Sequence, residues 1–460
     1  MAQSTDVMAE STDVVVIGGG LAGIAAALRF ADLGRSVTLV EGRPRLGGAA
    51  FSFTRGELSV DNGQHVFLRC CQAYRWLVGR MGMTERTTLQ PRLDIPVLRA
   101  DGRQGQLGRT AGVPAPVHLT AALARYALLS PLDRLRAVRG ALALRRLDPD
   151  DRTLDARTLG EYLRRHGQND ATISALWGVV ATATLNLHPD EASLALAAKV
   201  FRTGLLDDAP ASDIGFATAP LGVLHSDAAR RALDAAGVQV RLGQRVSTVR
   251  SGGVVEFADG TRGRAAHTVV LAVPHRDAFA ICPELASTAA APARELGATA
   301  IVNIHVIYDR TVTDLPFAAA IDSPVQWFFD RTASSGLHRT HPAGQYLAVT
   351  VSAADGIVDV PSAVLREQYV AELARLLPAA GRAEVLDAFV TRERRATFRQ
   401  SAGHAALRPG SASGLDNIWL AGAWTDTGWP DTMESAVRSG VAAAENSMAV
   451  RPPQMVRYVA

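Results

Sequence analysis

The feature that most limits how this chain can fold lies near its start. Val14-Val15-Val16-Ile17 runs into Gly18-Gly19-Gly20-Leu21-Ala22-Gly23, and an alanine- and leucine-rich stretch then continues to Leu33 and stops at Gly34. A β-branched run without polar interruption suits a parallel strand buried on both faces. The glycines match G-x-G-x-x-G between that strand and a helix. Gly18 permits the tight turn, Gly20 lets a pyrophosphate approach the backbone, and Gly23 lets helix and strand pack closely. The free N–H groups around Leu21 and Ala22 then face the anion along the helix dipole. A second apolar run, Val37 to Val40, ends at Glu41, 18 residues after Gly23. A carboxylate there accepts both ribose hydroxyls and repels a 2′-phosphate. Strand, turn, helix and strand within about 30 residues predict the βαβ unit of a doubly wound sheet.

The fingerprint by itself does not separate NAD from FAD. Further on, Glu41-Gly42-Arg43-Pro44-Arg45-Leu46-Gly47-Gly48 adds a second glycine pair. That is another close backbone approach, as a longer cofactor lying extended across the domain requires. Composition narrows the rest. Of 460 residues, 48% are hydrophobic and 20% charged, which excludes a disordered chain. A net charge of +3 carries no nucleic-acid footprint. Cys70, Cys71 and Cys282 form no CxxC or Cys/His spacing, so neither a disulfide framework nor a metal site is expected, and a reducing cytosol fits. Residues 1–12 lack the basic and apolar regions of a signal peptide, and no stretch reaches about 18 apolar residues.

From about 76 to 214 long arginine- and leucine-rich stretches read as helical. Strands are predicted at Val238–Leu242, Arg245–Val249, Val254–Phe257, Thr268–Val273, Thr299–Tyr308, Val325–Phe329, Tyr346–Val351 and Asn417–Ala421. Helices are expected from about Ser362 to Leu377 and from Thr432 to about Ser447.

Three further stretches carry a family likeness: Asp61-Asn62-Gly63-Gln64-His65-Val66-Phe67, the central Leu176-Trp177 with Thr184-Leu185-Asn186 and Glu191-Ala192-Ser193, and the tail from Ile418 to Val437. Through them the chain resembles the flavin-containing amine oxidase and phytoene desaturase superfamily, and within it the squalene-associated FAD-dependent desaturases, or hydroxysqualene dehydroxylases, from about Asp13 to Ala444. The resemblance implies an α/β fold, with a discontinuous Rossmann-type FAD-binding domain (12–75, 215–275 and 395–447) and an inserted mixed α+β substrate domain (76–214 and 276–394), between tails at 1–11 and 448–460. It implies FAD held by Gly18, Gly20, Leu21, Ala22, Gly23, Glu41, Arg43, Gly47, Gly48 and Gly63. It adds the backbone around Val246 at the adenine, Gly422 beneath the flavin, Asp426 at the ribityl chain and the helix N-terminus at Met433 near the flavin's pyrimidine edge. One departure stands out: Ala49 follows Gly48 where the family usually has arginine, which turns attention to Arg43 and Arg45.

The resemblance points to reductive removal of the hydroxyl of hydroxysqualene, with a carotenoid-type desaturation or an amine oxidation as alternatives. The strand Ala300–Val306 lacks the lysine typical of amine oxidases, and the single lysine, Lys199, reads as a solvated helix end. His65 and Asp61 are the candidate proton donors, each equally readable as structural, with His188 and His305 behind them. A long isoprenoid substrate is the expected partner, with an electron donor that the residues do not identify. A C30 hydrocarbon does not dissolve in cytosol. Ser130-Pro131 opens a helix in which Leu132, Leu135, Val138 and Leu142 recur among Arg134, Arg136, Arg139, Arg145 and Arg146. The segment 131–147 fits a basic amphipathic helix on the inner face of a membrane, and equally a surface helix packed on its own core.

Overall fold

The computed structural model describes residues 12–265 and 267–449. The tails expected at 1–11 and 448–460 lie outside it, apart from 448 and 449, which end the last helix.

Five parallel strands form one sheet in the order Gln239–Leu242, Val37–Glu41, Val14–Ile17, Thr268–Leu271 and Ile418–Leu420. The uninterrupted Val/Ile run does what its composition requires. Val14 and Val16 pack into one apolar cluster and Val15 and Ile17 into another, so both faces of the sheet are covered. On one face the glycine-loop helix Leu21–Asp32 lies against the closing helix Met433–Ala449. Gly440 makes that approach possible, because a side chain there would strike the Ala22 carbonyl. The three-stranded antiparallel sheet of Val246–Arg250, Val254–Phe257 and Arg262–Arg264 contributes Val246, Val249, Val255 and Phe257 to the cluster on the other face.

A second, seven-stranded sheet runs Val385–Thr397, Thr299–Tyr308, Gln345–Val351, Trp327–Asp330, Phe317–Ile321, Asp94–Arg99 and Gln104–Gly108. Only the pairing of Phe317–Ile321 with Asp94–Arg99 is parallel. The fold is thus α/β, a Rossmann-type sheet assembled from distant stretches of chain together with a mixed α+β region.

Several elements differ from the sequence expectation. Within the stretch read as helical, Thr87–Leu89, Asp94–Arg99 and Gln104–Gly108 are strands. Pro96 and the flanking charges hide the apolar Ile95, Val97 and Leu98, which become buried only by pairing. Phe317–Ile321 and the 13-residue Val385–Thr397 also went unrecognised. The latter carries Arg392, Glu393, Arg394 and Arg395 because it is an edge strand, where charge is tolerated and even protective. Elsewhere the expected segments are present with ends shifted by one or two residues, as in Ile418–Leu420 and Met433–Ala449.

Candidate active site

The glycine loop sits at the C-terminal edge of the parallel sheet, where ligands of doubly wound folds bind. Gly18 has φ +109°, and a side chain there would strike the Ala272 carbonyl at the end of the neighbouring strand. A side chain at Gly23 would meet the Gly18 carbonyl. The helix that follows has Gly20 at its N-cap, no side-chain cap and no acid in its first turn. Its N–H groups at Leu21, Ala22 and Gly23 are therefore left for an anion.

Glu41 closes the other side. Its Oε2 accepts from the Gly19 N–H at 2.7 Å and its Oε1 from the Arg43 N–H at 2.8 Å, which aims the carboxylate and leaves lone pairs for hydroxyls. The second glycine pair packs on the first. The Gly47 N–H donates to Gly19 O at 2.9 Å, and a Cβ built on Gly48 (φ +58°) would lie 2.8 Å from Gly20 Cα. With Ala49 in place of arginine, Arg43 and Arg45 both reach the Gly48 carbonyl, at 3.4 and 3.2 Å. Arg45 also stacks 3.6 Å above Phe51. The Gln244 N–H donates to Glu41 O and the Gly243 N–H to Arg43 O, both at 3.0 Å, so the strand beginning at Val246 starts beside the ribose acid. Bare helix N–H groups, an oriented carboxylate and two abutting glycine loops fit an extended flavin dinucleotide.

The Asp61–His65 stretch divides into two roles. Asp61 takes a hydrogen bond from the Ser52 hydroxyl (2.6 Å), one from the Leu221 N–H (2.9 Å) and an ion pair from Arg331 (2.5 Å). These three partners fix the carboxylate in place. Asn62 fastens the loop after Gly48 to the second sheet, with Nδ2 donating to Ala49 O at 2.8 Å and to Glu393 Oε1 at 2.9 Å. Gly63 leaves room for Asn303 and His65: a Cβ there would sit 3.5 Å from Asn303 Nδ2 and 3.7 Å from His65 Nε2. Burial, reinforced by the Arg331 guanidinium, lowers the His65 pKa to about 4. His65 is therefore a neutral imidazole at pH 7 and a poor acid. His305 is buried deeper, its pKa lowered by desolvation to about 3. Because Thr391 donates to Asn62 O, its oxygen accepts from His305 Nε2 (3.0 Å), which leaves Nδ1 to accept from the Tyr346 hydroxyl at 2.6 Å.

In the tail, Gly422 has φ +137°, and a side chain there would collide with the Trp424 ring. Asp426 accepts from Arg152 at 2.5 Å and from the Gly428 N–H at 3.1 Å. Met433 opens the closing helix and packs on the apolar cluster containing Phe67 and Tyr74. The buried Glu434 accepts from the N–H groups of Ala73 and Tyr74 and from Arg438, tying the helix Gln72–Arg80 to this turn. Lys199 is not a solvated end: its side chain is only 17% exposed, reaches Asp150 at 3.3 Å and packs beside Gly428. It lies on the helix Leu194–Phe201, not on the Thr299–Tyr308 strand.

Three residues escaped the sequence reading. Arg331 is the cation that both holds Asp61 and depresses His65. Arg408 is buried over Phe398 and donates to the carbonyls of Ala423 and Thr425, gripping the tail loop from beneath. Asp431 takes one hydrogen bond from the Phe398 N–H at 2.7 Å, and burial raises its pKa to about 6 against the opposing pull of Arg408. Its own N–H donates to Gln400 Oε1, and Gln400 Nε2 donates to Leu185 O, so the central and tail motifs meet at Gln400. The only signal for Asp431 was its place two residues before the closing helix.

Beside His65 opens a cavity of about 490 Å³ lined by Gln64, Phe216, Phe317, Phe329 and Arg331. The Phe216, Phe317, Phe329 and Trp327 rings contact one another in tilted, edge-on and stacked pairs. Gln64 Nε2 is buried at this wall with no partner among the described residues, a donor left for a bound molecule. The cavity offers aromatic faces and a neutral imidazole on one side, and a polar rim that includes Asp314, Asp330, Thr332 and His338 on the other.

Known proteins share this plan. Residues 21–446 match the sequence profile of the flavin containing amine oxidoreductases. A hydroxysqualene dehydroxylase of Rhodopseudomonas palustris is 30% identical, over 95% of this chain and 98% of its own. A zeta-carotene desaturase of Arabidopsis thaliana is 25% identical, over 93% and 83%. The crystal structure of an oxidoreductase from Methanosarcina mazei superimposes with a TM-score of 0.71 at 16% identity, over 94% of this chain and 99% of that one, which shows a shared fold. With its dinucleotide cradle intact, the chain belongs to the flavin containing amine oxidoreductase family and is an FAD-dependent oxidoreductase.

Proposed function

We propose that the protein removes the hydroxyl group of hydroxysqualene reductively to give squalene. The observation that carries this reading is the end-to-end likeness to proteins named hydroxysqualene dehydroxylase, at 28 and 30% identity. The absence of lysine from the strand Thr299–Tyr308 accords with it, and so does the aromatic cavity beside His65. In that strand Asn303 donates to Asn62 O and accepts from the Thr350 hydroxyl, so its side chain is committed to holding the Asn62 turn.

The glycine loops Gly18–Gly23 and Gly47–Gly48, with Glu41, Arg43, Gly63 and Val246, would hold the cofactor's dinucleotide, and Gly422, Asp426 and Met433 its flavin end. When bound and reduced, FAD supplies a hydride to the carbon that loses oxygen. The C–O bond breaks, a C–H bond forms at the same carbon, and the hydroxyl takes up one proton to leave as water. Phe216, Phe317 and Phe329 present π faces to positive charge developing at the allylic carbon and keep water out. Asp61 is locked to Arg331, and His65, at the cavity wall, is neutral. Asp431, its pKa raised toward neutrality two residues before the flavin-side helix and outside the aromatic cavity wall, would be the proton donor from the flavin side. A two-electron reductant must recharge the flavin after each turnover.

The test is an anaerobic incubation of photoreduced holoenzyme with hydroxysqualene. Squalene appearing one-for-one as oxidised flavin absorbance returns is the expected result, and absence of squalene rejects the reading. The likeness to zeta-carotene desaturase supports a second reading, which the oxidised holoenzyme tests: bleaching of its flavin by zeta-carotene would favour desaturation.

A further inference from the structure

The helix Pro131–Arg145 carries an inverted pattern. Ser130 caps it by accepting from the Asp133 N–H at 3.2 Å, and Pro131 sits in its first turn. Its inward face is mostly small groups: Ala137, Gly140 and Ala143 are buried along with Asp133, and Leu144 is the one large apolar side chain among them. Gly140 explains why. A Cβ built there would lie 2.9 Å from both Trp177 and Gln168. Gln168 in turn donates to Arg136 O at 2.6 Å and accepts from Trp177 Nε1 at 2.9 Å. Asp133 also accepts from Asn169 Nδ2 at 2.8 Å. The helix is thus pinned in rotation with most of its larger apolar side chains outward. Leu132 is 57% exposed, Leu135 69%, Val138 39% and Leu142 47%. They fall at helical spacing on a single stripe: the helix packs on the protein's own core through Ala137, Ala143 and Leu144, and the steric demand at Gly140 leaves this stripe outward.

Charge surrounds the stripe. Residues 117–147 hold six arginines and one acid, and that acid is the buried Asp133. Arg139, Arg145 and Arg146 are exposed and have no ion pair among the described residues, whereas the exposed acids Asp148 and Asp150 stand only beyond the helix end. Just upstream, Val117 is also exposed. Leu119 and Leu123, then Tyr126, Leu128 and Leu129, pack into the same apolar cluster as Phe216, Phe317 and Phe329 of the cavity. The apolar cluster that borders the cavity thus extends to Leu129, just before the helix.

We infer that the outward stripe Leu132–Leu135–Val138–Leu142, with Arg139, Arg145 and Arg146 around it, docks this protein on a bilayer bearing anionic headgroups. Leucines enter the acyl boundary while the guanidinium groups pair with phosphates at the headgroup level. A second copy of the chain is the weaker match, because two such faces would bring unpaired arginines together.

Cosedimentation of the holoenzyme with vesicles tests the surface without substrate, so its outcome is separate from that of the dehydroxylase reading. Binding to phosphatidylcholine–phosphatidylglycerol vesicles is expected, weakening with added salt and much weaker on phosphatidylcholine alone. Arg139→Glu and Arg145→Glu should each cost at least about fivefold in partitioning, and Leu135→Ser about tenfold. These variants keep the bound flavin and the thermal midpoint, since all three side chains are exposed. No binding to anionic vesicles, or binding unchanged in the variants, overturns the inference. So does a concentration-dependent dimer that Leu135→Ser abolishes in a protein that ignores vesicles.

Discussion

Asp431 and His65 are shifted in opposite directions by the same cause, desolvation, since burial penalises whichever form is charged. The consequence for Asp431 is open to direct measurement. Its carboxyl has an ordinary pKa of 3.8 and a native one of about 6, so above about pH 6 the folded protein carries a half-buried, poorly solvated carboxylate that the unfolded chain solvates freely. Asp431→Asn removes that cost and can still accept from the Phe398 N–H. We expect the variant to be stabilised, on the order of 2 kcal/mol at about pH 8, with the difference shrinking to nothing below about pH 4. The same variant should slow single-turnover flavin reoxidation by hydroxysqualene at least about a hundredfold and flatten its fall above about pH 6. An unchanged rate and pH profile would remove Asp431 from the chemistry whatever the stability shows. Neither Asp431 nor Arg331 was legible as functional in the sequence. A carboxyl's pKa depends on what surrounds it in space, and Arg331 meets Asp61 across a separation of 270 residues.

At the scale of elements, close approaches are made by glycines and then held by single polar side chains. Gly440 lets the closing helix press on the glycine-loop helix, and Glu434 at the start of the same helix takes the N–H groups of Ala73 and Tyr74. Gly440→Val forces apart the two helices that flank the cradle. We expect a loss of about 2–3 kcal/mol, read as a lower denaturant midpoint, together with reduced FAD retention after gel filtration. A midpoint and flavin content equal to those of the parent protein would show that the packing adjusts at no cost. Four of the five strands of the parallel sheet are readable as short, mainly apolar runs, whereas Gln239–Leu242 alternates polar and apolar residues. The seven-stranded sheet was only partly readable. Asp94–Arg99 and Val385–Thr397 become strands through pairing with distant partners, and their own composition conceals it.

For the molecule as a whole, desolvated histidines set the response to acid. His65 and His225 have pKa values lowered to about 4 and His305 to about 3, all chiefly by desolvation. Each binds a proton in the unfolded chain near its ordinary 6.5 but not in the native one, so unfolding takes up protons between about pH 6 and 4 and stability falls as pH falls through that window. His118 and His275 are shifted the same way. Asp431, protonated in the native state but not in the unfolded chain near pH 5, offsets nearly one of these protons. The unfolding free energy should therefore drop by about 2–3 kcal/mol per pH unit near pH 5, and His305→Gln should shallow that slope by about one proton. A flat profile across the window would refute the neutral-histidine description.

The sequence by itself determined the cofactor cradle. Its parts are local: a strand, a glycine turn, a helix N-terminus and a ribose acid within about 30 residues, each dictated by backbone sterics and short-range periodicity. Only the tertiary structure decided which face of the arginine-rich helix looks outward. The spacing of Leu132, Leu135, Val138 and Leu142 marks one stripe but cannot say what it faces, and Gly140 against Trp177 turns that stripe away from the core. Steric exclusion and desolvation act between neighbours in space, so these outcomes appear only once the distant stretches of chain have packed together.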